Sequence, residues 1–126
     1  MFVNISNHPS EKWGKAQLEA AMEYGDIVDI PFPNVKPEAT CEEVRAMAEK
    51  LRLMVEQLEE VSDKDVKMIH LVGEPTLTVA AISLLIHKYH ICTSTTKRIV
   101  TENADGTITK AFEFVKFREY ETLSWW

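Results

Sequence analysis

The chain has 126 residues, 45% of them hydrophobic and 27% charged, with a formal net charge of −6. That length and balance fit one domain, residues 1–126, with a single apolar core. The negative charge disfavours general adhesion to duplex nucleic acid or to an anionic membrane, so an anionic ligand must be held by a local group of cations or backbone amides.

The opening "MFVNISNHPS" has no basic stretch followed by an apolar run and does not read as a signal peptide. Within it, "FVNIS" is short, apolar and partly β-branched, the pattern of a buried strand, and "NHPS" is a turn cluster. A helix is expected from about Lys15 to Tyr24, with Gly25 suited to its end. "DIVDI" (Asp26 to Ile30) reads as a second strand, and the three prolines of "PFPNVKPEA" end it. "TCEE" places Thr40 as N-cap with Glu43 three residues on, a capping box. Val44, Met47, Ala48, Leu51, Met54, Val55 and Leu58 then recur at helical spacing, opposite a solvated face of glutamates.

"VKMIHLV" (Val66 to Val72) is a third strand, followed by "GEPT" with Pro75 in the first turn of a helix that is apolar on nearly every side. Its apolar run, near Leu77 to Ile86, is too short to span a bilayer. "HICTSTT" is a fourth strand, and "KRIVTEN" and "TITKAFEFVKFREY" form a hairpin about Asp105-Gly106. In its second arm Phe112 and Phe114 have one parity, and Val115 and Phe117 the other. Burial on both faces and a β-bulge both account for that. The alternation predicts an α/β, Rossmann-like three-layer fold, with a mainly parallel sheet of four strands plus a C-terminal antiparallel hairpin.

Open parallel sheets bind ligands beyond the carboxyl ends of their strands. On that edge the sequence puts Asn7, His8, Ser10, Asn34, Gly73, Glu74, Thr76, Ser94, Thr95, Thr96, Lys97 and Arg98. A helix N-terminus after Gly73, hydroxyls at Ser94 to Thr96 and the Lys97–Arg98 pair suit a phosphate. Glu74 equally suits a helix cap, and the hydroxyl run equally suits an ordinary strand. His8, an imidazole on that edge, is the candidate base or acid. His70, His87 and His90 read as structural. Cys41 and Cys92 form no metal spacing and read as reduced thiols of a cytoplasmic protein. No dinucleotide fingerprint, P-loop or nucleophile elbow is present, and neither a metal nor a cofactor is expected.

"NISNHPS", "GEPTLT" before an apolar helix, and "STTKR" resemble segments of small stand-alone CRISPR-associated proteins with a Rossmann-like fold. These are similar to CARF domains, the sensors of cyclic oligoadenylate in type III CRISPR systems, and some members are ring nucleases. CARF domains often carry a Gly-Gly-Thr-Lys-like loop where this chain has Gly73-Glu74-Pro75-Thr76. The resemblance implies a homodimer that binds cyclic oligoadenylate in one pocket across its twofold axis. Cleavage there would be metal-independent, by in-line attack of the ligand's own 2′-hydroxyl. His8, Lys97 and Arg98 are then the catalytic candidates, and Asn7, Ser10, Gly73, Glu74, Thr76, Ser94, Thr95 and Thr96 the binding ones. Two alternatives stay open: a non-catalytic sensor or buffer of that messenger, and a Rossmann-like enzyme acting on another nucleotide or metabolite. The all-round apolar helix and the terminal "LSWW" also suggest a homodimer.

Overall fold

A computed structural model describes residues 1–123. The elements run β1 (Phe2–Ser6), α1 (Lys15–Met22), β2 (Ile27–Pro31), α2 (Cys41–Ser62), β3 (Met68–Val72), α3 (Pro75–Leu85), β4 (Ile91–Glu102) and β5 (Ile108–Glu119), with a 3-10 turn at Ser10–Lys12. The strands form one mixed sheet in the order β2-β1-β3-β4-β5. β1 pairs parallel with β2 and β3, and β3 pairs parallel with β4; β5 is antiparallel to β4.

The sheet therefore has five strands, and the expected tally needs one correction. "HICTSTT" and "KRIVTEN" are a single strand, β4, which is both the fourth parallel strand and the first arm of the hairpin. No Gly, Pro, Asn or Asp interrupts the segment from Ile91 to Glu102, so nothing turns the chain between its two halves. The hairpin turns where expected, with Gly106 at φ +84°, a conformation that disfavours any side chain. A bulge also resolves the two parities of β5. Thr95 pairs with Lys116 and Thr96 with Phe114, which leaves Val115 as the extra residue. Phe114 and Phe117 are thereby brought to one side, ring centroids 4.9 Å apart.

Residues alternate between the two faces of the sheet. Val3, Ile5, Ile69, Leu71 and Ile91 meet Val44, Ala48, Leu51 and Val55 of α2 and Leu77, Ala81 and Leu85 of α3 in the larger core. Phe2, Met68 and Cys92 meet Trp13 and Ala21 on the α1 face. The capping box of α2 is present, Thr40 Oγ1 accepting from the Glu43 amide at 3.1 Å. α3 buries Leu77, Thr78, Ala81 and Leu85, whereas Val79 is exposed. Trp125 and Trp126 lie outside the described residues. No described helix is long and apolar enough to cross a membrane.

Candidate functional site

The chain moves outward from β1 in both directions: β2 lies on one side of β1, and β3 and β4 lie on the other. A crevice is expected between the carboxyl ends of β1 and β3, where the helices that follow them leave on opposite faces. There the α1 face changes character. At the strand entrances it is apolar, with Phe2, Met68 and Cys92. One pleat further along β1 and β3 stand Asn4 and His70, which are register partners, and beyond them Ser6. All three polar residues are buried, exposing 1%, 3% and 7% of their surface.

Their hydrogen bonds form one network. Asn4 Nδ2 donates to the His8 carbonyl at 3.0 Å and to Asp29 Oδ1 at 2.8 Å. Both partners can only accept, which fixes the orientation of the Asn4 amide. Asn4 Oδ1 consequently faces Ser6 Oγ and His70 Nδ1, each at 2.8 Å. Since this oxygen only accepts, the proton of a neutral His70 sits on Nδ1, and Nε2 keeps a bare lone pair. Burial, with a smaller contribution from His8, pulls the His70 pKa down to about 4, so the ring is neutral at physiological pH.

The loop after β1 is tied to the same network by its backbone. Trp13 Nε1 donates to the His8 carbonyl at 3.1 Å. Asp29 accepts from the Ser10 amide at 3.2 Å and from Ser10 Oγ at 2.7 Å. Asp29 thus anchors the loop. Asp26, the other acid of that segment, pairs with Lys64.

Above this floor opens a cavity of about 680 Å³. Ser6, His70 and Val72 line its base, and Ser94 and Thr96 line it from β4. Trp13 stands edge-on to His70 at 5.6 Å, and Phe117 does so at 5.4 Å. Phe112 and Phe114 extend the aromatic wall along β5, with Phe112 72% exposed. On the opposite side are His8, Lys12 and the first turn of α1, Gly14 to Gln17. Gly14 is the N-cap of α1 and has no side chain to bond the first amides of the helix. That terminus therefore presents free N–H groups and partial positive charge to the cavity, with Lys12 and Lys15 beside it.

The residues singled out from sequence divide into those at this cavity and those elsewhere. His8, Ser94 and Thr96 line it. Ser10 is held by Asp29, and Asn7 is exposed at the end of β1. Asn34 is exposed in the loop after β2. The other helix terminus, at "GEPT", is occupied by its own carboxylate. Glu74 accepts from the Leu77 amide at 2.8 Å and from Thr76 Oγ1 at 2.6 Å, and these bonds hold its pKa below the usual carboxylate range. Gly73 leaves room for the Phe32 ring, which a Cβ there would meet at 2.4 Å. Thr76 faces a separate groove of about 420 Å³ between α2 and α3.

Thr95 clips the bulge, bonding the Lys116 amide and carbonyl. Lys97 and Arg98 were expected on a rim loop; they lie instead within β4, opposite Glu113 and Phe112 of the hairpin. Lys97 Nζ is 4.0 Å from Glu113. Lys12, Trp13, Gly14 and Lys15, which are not among the sequence-based candidates, and His70, which reads from sequence as structural, also line the cavity. The signal for the first four was the string "KWGK" directly before a helix, where Gly leaves the terminus open and Lys flanks it.

Among the described residues, no three His, Cys, Asp or Glu side chains are grouped as a metal ligand set. Cys92 is buried, its thiol pushed up to about 12 mainly by desolvation, and Cys41 is an exposed free thiol. No curated protein matches the chain, and neither does any solved structure. A family model does match, over residues 1–118, and by that match the chain belongs to the family described as "Uncharacterized protein MJ1673 family".

Proposed function

We propose that this protein is a Rossmann-like, three-layer nucleotide-binding domain whose ligand is a cyclic oligoadenylate, held in the α1-face cavity by a cytoplasmic homodimer. One observation carries the reading: a single crevice at the strand-order reversal combines an open helix terminus with an aromatic wall. The free amides of Lys15 to Gln17, with Lys12 and Lys15, suit phosphate. Trp13, Phe112 and Phe114 suit flat bases, whose stacking on aromatic side chains is worth ~1–3 kcal/mol each. Ser94 and Thr96 offer hydroxyls to ribose or phosphate. With a net charge of −6, attraction to duplex nucleic acid is weak, which favours a small ligand caught by local groups.

A homodimer accords with the apolar side chains that the hairpin leaves in water: Val100, Ile108, Phe112 and Val115 are each more than half exposed. The likeness to CARF domains supplies the ligand's identity, and the geometry supports its chemical class.

Binding without cleavage is the second reading, favoured by the position of the cations. Lys97 and Arg98 stand out on the hairpin, and Glu74 is engaged as a cap, so these groups do not converge with His8 on one point. Incubation with cyclic tetra- and hexa-adenylate in EDTA separates the readings. Linear products indicate a metal-independent ring nuclease, and saturable binding with intact ligand indicates a sensor or buffer. Absence of binding to either ring removes the cyclic-oligoadenylate reading and leaves an enzyme of another nucleotide or metabolite.

A further inference from the structure

Among the described residues, His70 Nε2 is the one buried side-chain nitrogen or oxygen without a hydrogen-bond partner. An unsatisfied buried polar atom costs on the order of 1–3 kcal/mol, and the surroundings could have avoided it. Every other group of the network, Asn4, Ser6, Asp29 and the His8 carbonyl, is bonded. A phenylalanine at position 70 would keep the ring contacts with Phe2, Trp13 and Phe117 without stranding a nitrogen. The histidine instead has its tautomer set by Asn4, its ring lines the cavity among Phe2, Trp13 and Phe117, and Nε2 is closed to solvent, so a donor reaches it only when a neighbouring side chain gives way.

A bare lone pair in that setting has a definite selectivity. It repels a phosphate oxygen, which is also an acceptor, and it rewards an N–H or O–H. We propose that His70 Nε2 is a specificity-determining acceptor that reads a neutral hydrogen-bond donor of the bound nucleotide, a ribose hydroxyl or the exocyclic amine of the base, while phosphate stays at the α1 terminus. This rests on the nucleotide reading above. It orients the ligand: sugar or base points down toward β1 and β3, and phosphate points up toward Lys12 and Lys15. His70 is a positioning group here, with no part in proton transfer.

The test is long-range 1H–15N NMR of the histidine side chains in the full-length protein, free and with cyclic tetra- or hexa-adenylate. Free His70 is expected as the Nδ1–H tautomer at neutral pH. Addition of the ring that binds should shift the Nε2 resonance in the direction of hydrogen-bond acceptance, and inorganic sulfate, which carries no proton at neutral pH, should leave it in place. His70→Phe should weaken binding roughly tenfold or more. The 2′-deoxy ring should lose affinity to a similar extent if the donor is the ribose hydroxyl, and the inosine ring should do so if it is the amine.

An Nε2–H tautomer in the free protein overturns the proposal whatever binds. Ligand binding with an unmoved Nε2 resonance, or full affinity for both analogues, overturns it and leaves the nucleotide reading standing. Failure of both rings to bind overturns the cyclic-oligoadenylate reading and this inference with it. Should His70→Phe fail to fold, the Nε2 resonance of the unmodified protein decides.

Discussion

The two faces of the sheet are built from the same three strands by simple alternation, yet they do different work. Toward α2 and α3 the buried strand residues are apolar, Val3 and Ile5 of β1, Ile69 and Leu71 of β3 and Ile91 of β4, and the helices close over them. Toward α1 the same strands begin apolar and turn polar at Asn4, Ser6 and His70. The helix there is short, eight residues against twenty-two in α2, and it covers only the apolar end. One face is a closed core between sheet and helices. The other is a core at its lower end and a cavity at its upper end, and a fixed polar network divides the two.

Breaking each face should therefore give a different signature. The largest loss of stability is expected on the closed face. Leu51, 1% exposed, packs in the larger core, and Leu51→Ala should cost about 3 kcal/mol in urea denaturation with the ligand contacts untouched. On the open face the expected signature is a dependence on pH. The folded protein holds His70 near a pKa of about 4 against an ordinary value of 6.5. Between those values the unfolded chain binds more protons, so the contribution is whole above about pH 6.5 and is lost as pH falls toward 4. It amounts to on the order of 3 kcal/mol. Comparing denaturation of the natural protein and His70→Phe across that window should show a steeper slope in the first than in the second, where only carboxylates with lowered pKa such as Glu59 and Glu74 still contribute.

The two helix termini give a finer comparison. Glu74→Ala removes the cap of α3 and should lower the thermal midpoint, by less than Leu51→Ala does, with nucleotide affinity unchanged. A large loss of affinity with unchanged stability would move the site to the "GEPT" terminus. The smallest change in stability is expected at Phe112, 72% exposed. Phe112→Ala should shift stability by no more than ~0.5 kcal/mol. It should weaken nucleotide binding about tenfold through the lost stacking, as read by calorimetry.

Much of the fold was legible because its signals are local. The Thr40 and Glu43 capping box, the apolar stripe of α2, the Pro75 helix start and the Gly106 turn each depend on residues close in sequence. The hairpin was less so. β4 runs unbroken through "STTKR", and the expectation of a loop there came from reading cations and hydroxyls as a rim when β-branched Thr, Ile and Val make them a strand.

The candidate site was legible as an edge but not as a set of groups. Ser94, Thr96 and His8 do line the cavity. His70 reads from sequence only as structural, because its setting depends on Asn4, sixty-six residues earlier, whose amide decides which ring nitrogen is bare. No spacing rule carries that information. Gly73 likewise depends on a distant residue, since the neighbour it makes room for is Phe32.

The central claim, that the ligand site is the α1-face cavity, is tested most directly by backbone amide NMR of the full-length protein during titration with cyclic tetra- and hexa-adenylate. The account expects the largest shifts at Trp13, Gly14 to Gln17, His70, Ser94 and Thr96, and their loss in a Lys12→Ala, Lys15→Ala double variant that retains its fold. Shifts confined to the α2–α3 groove, at Arg45, Ala48 and Thr76, or to Lys97 and Arg98 of the hairpin, would contradict it.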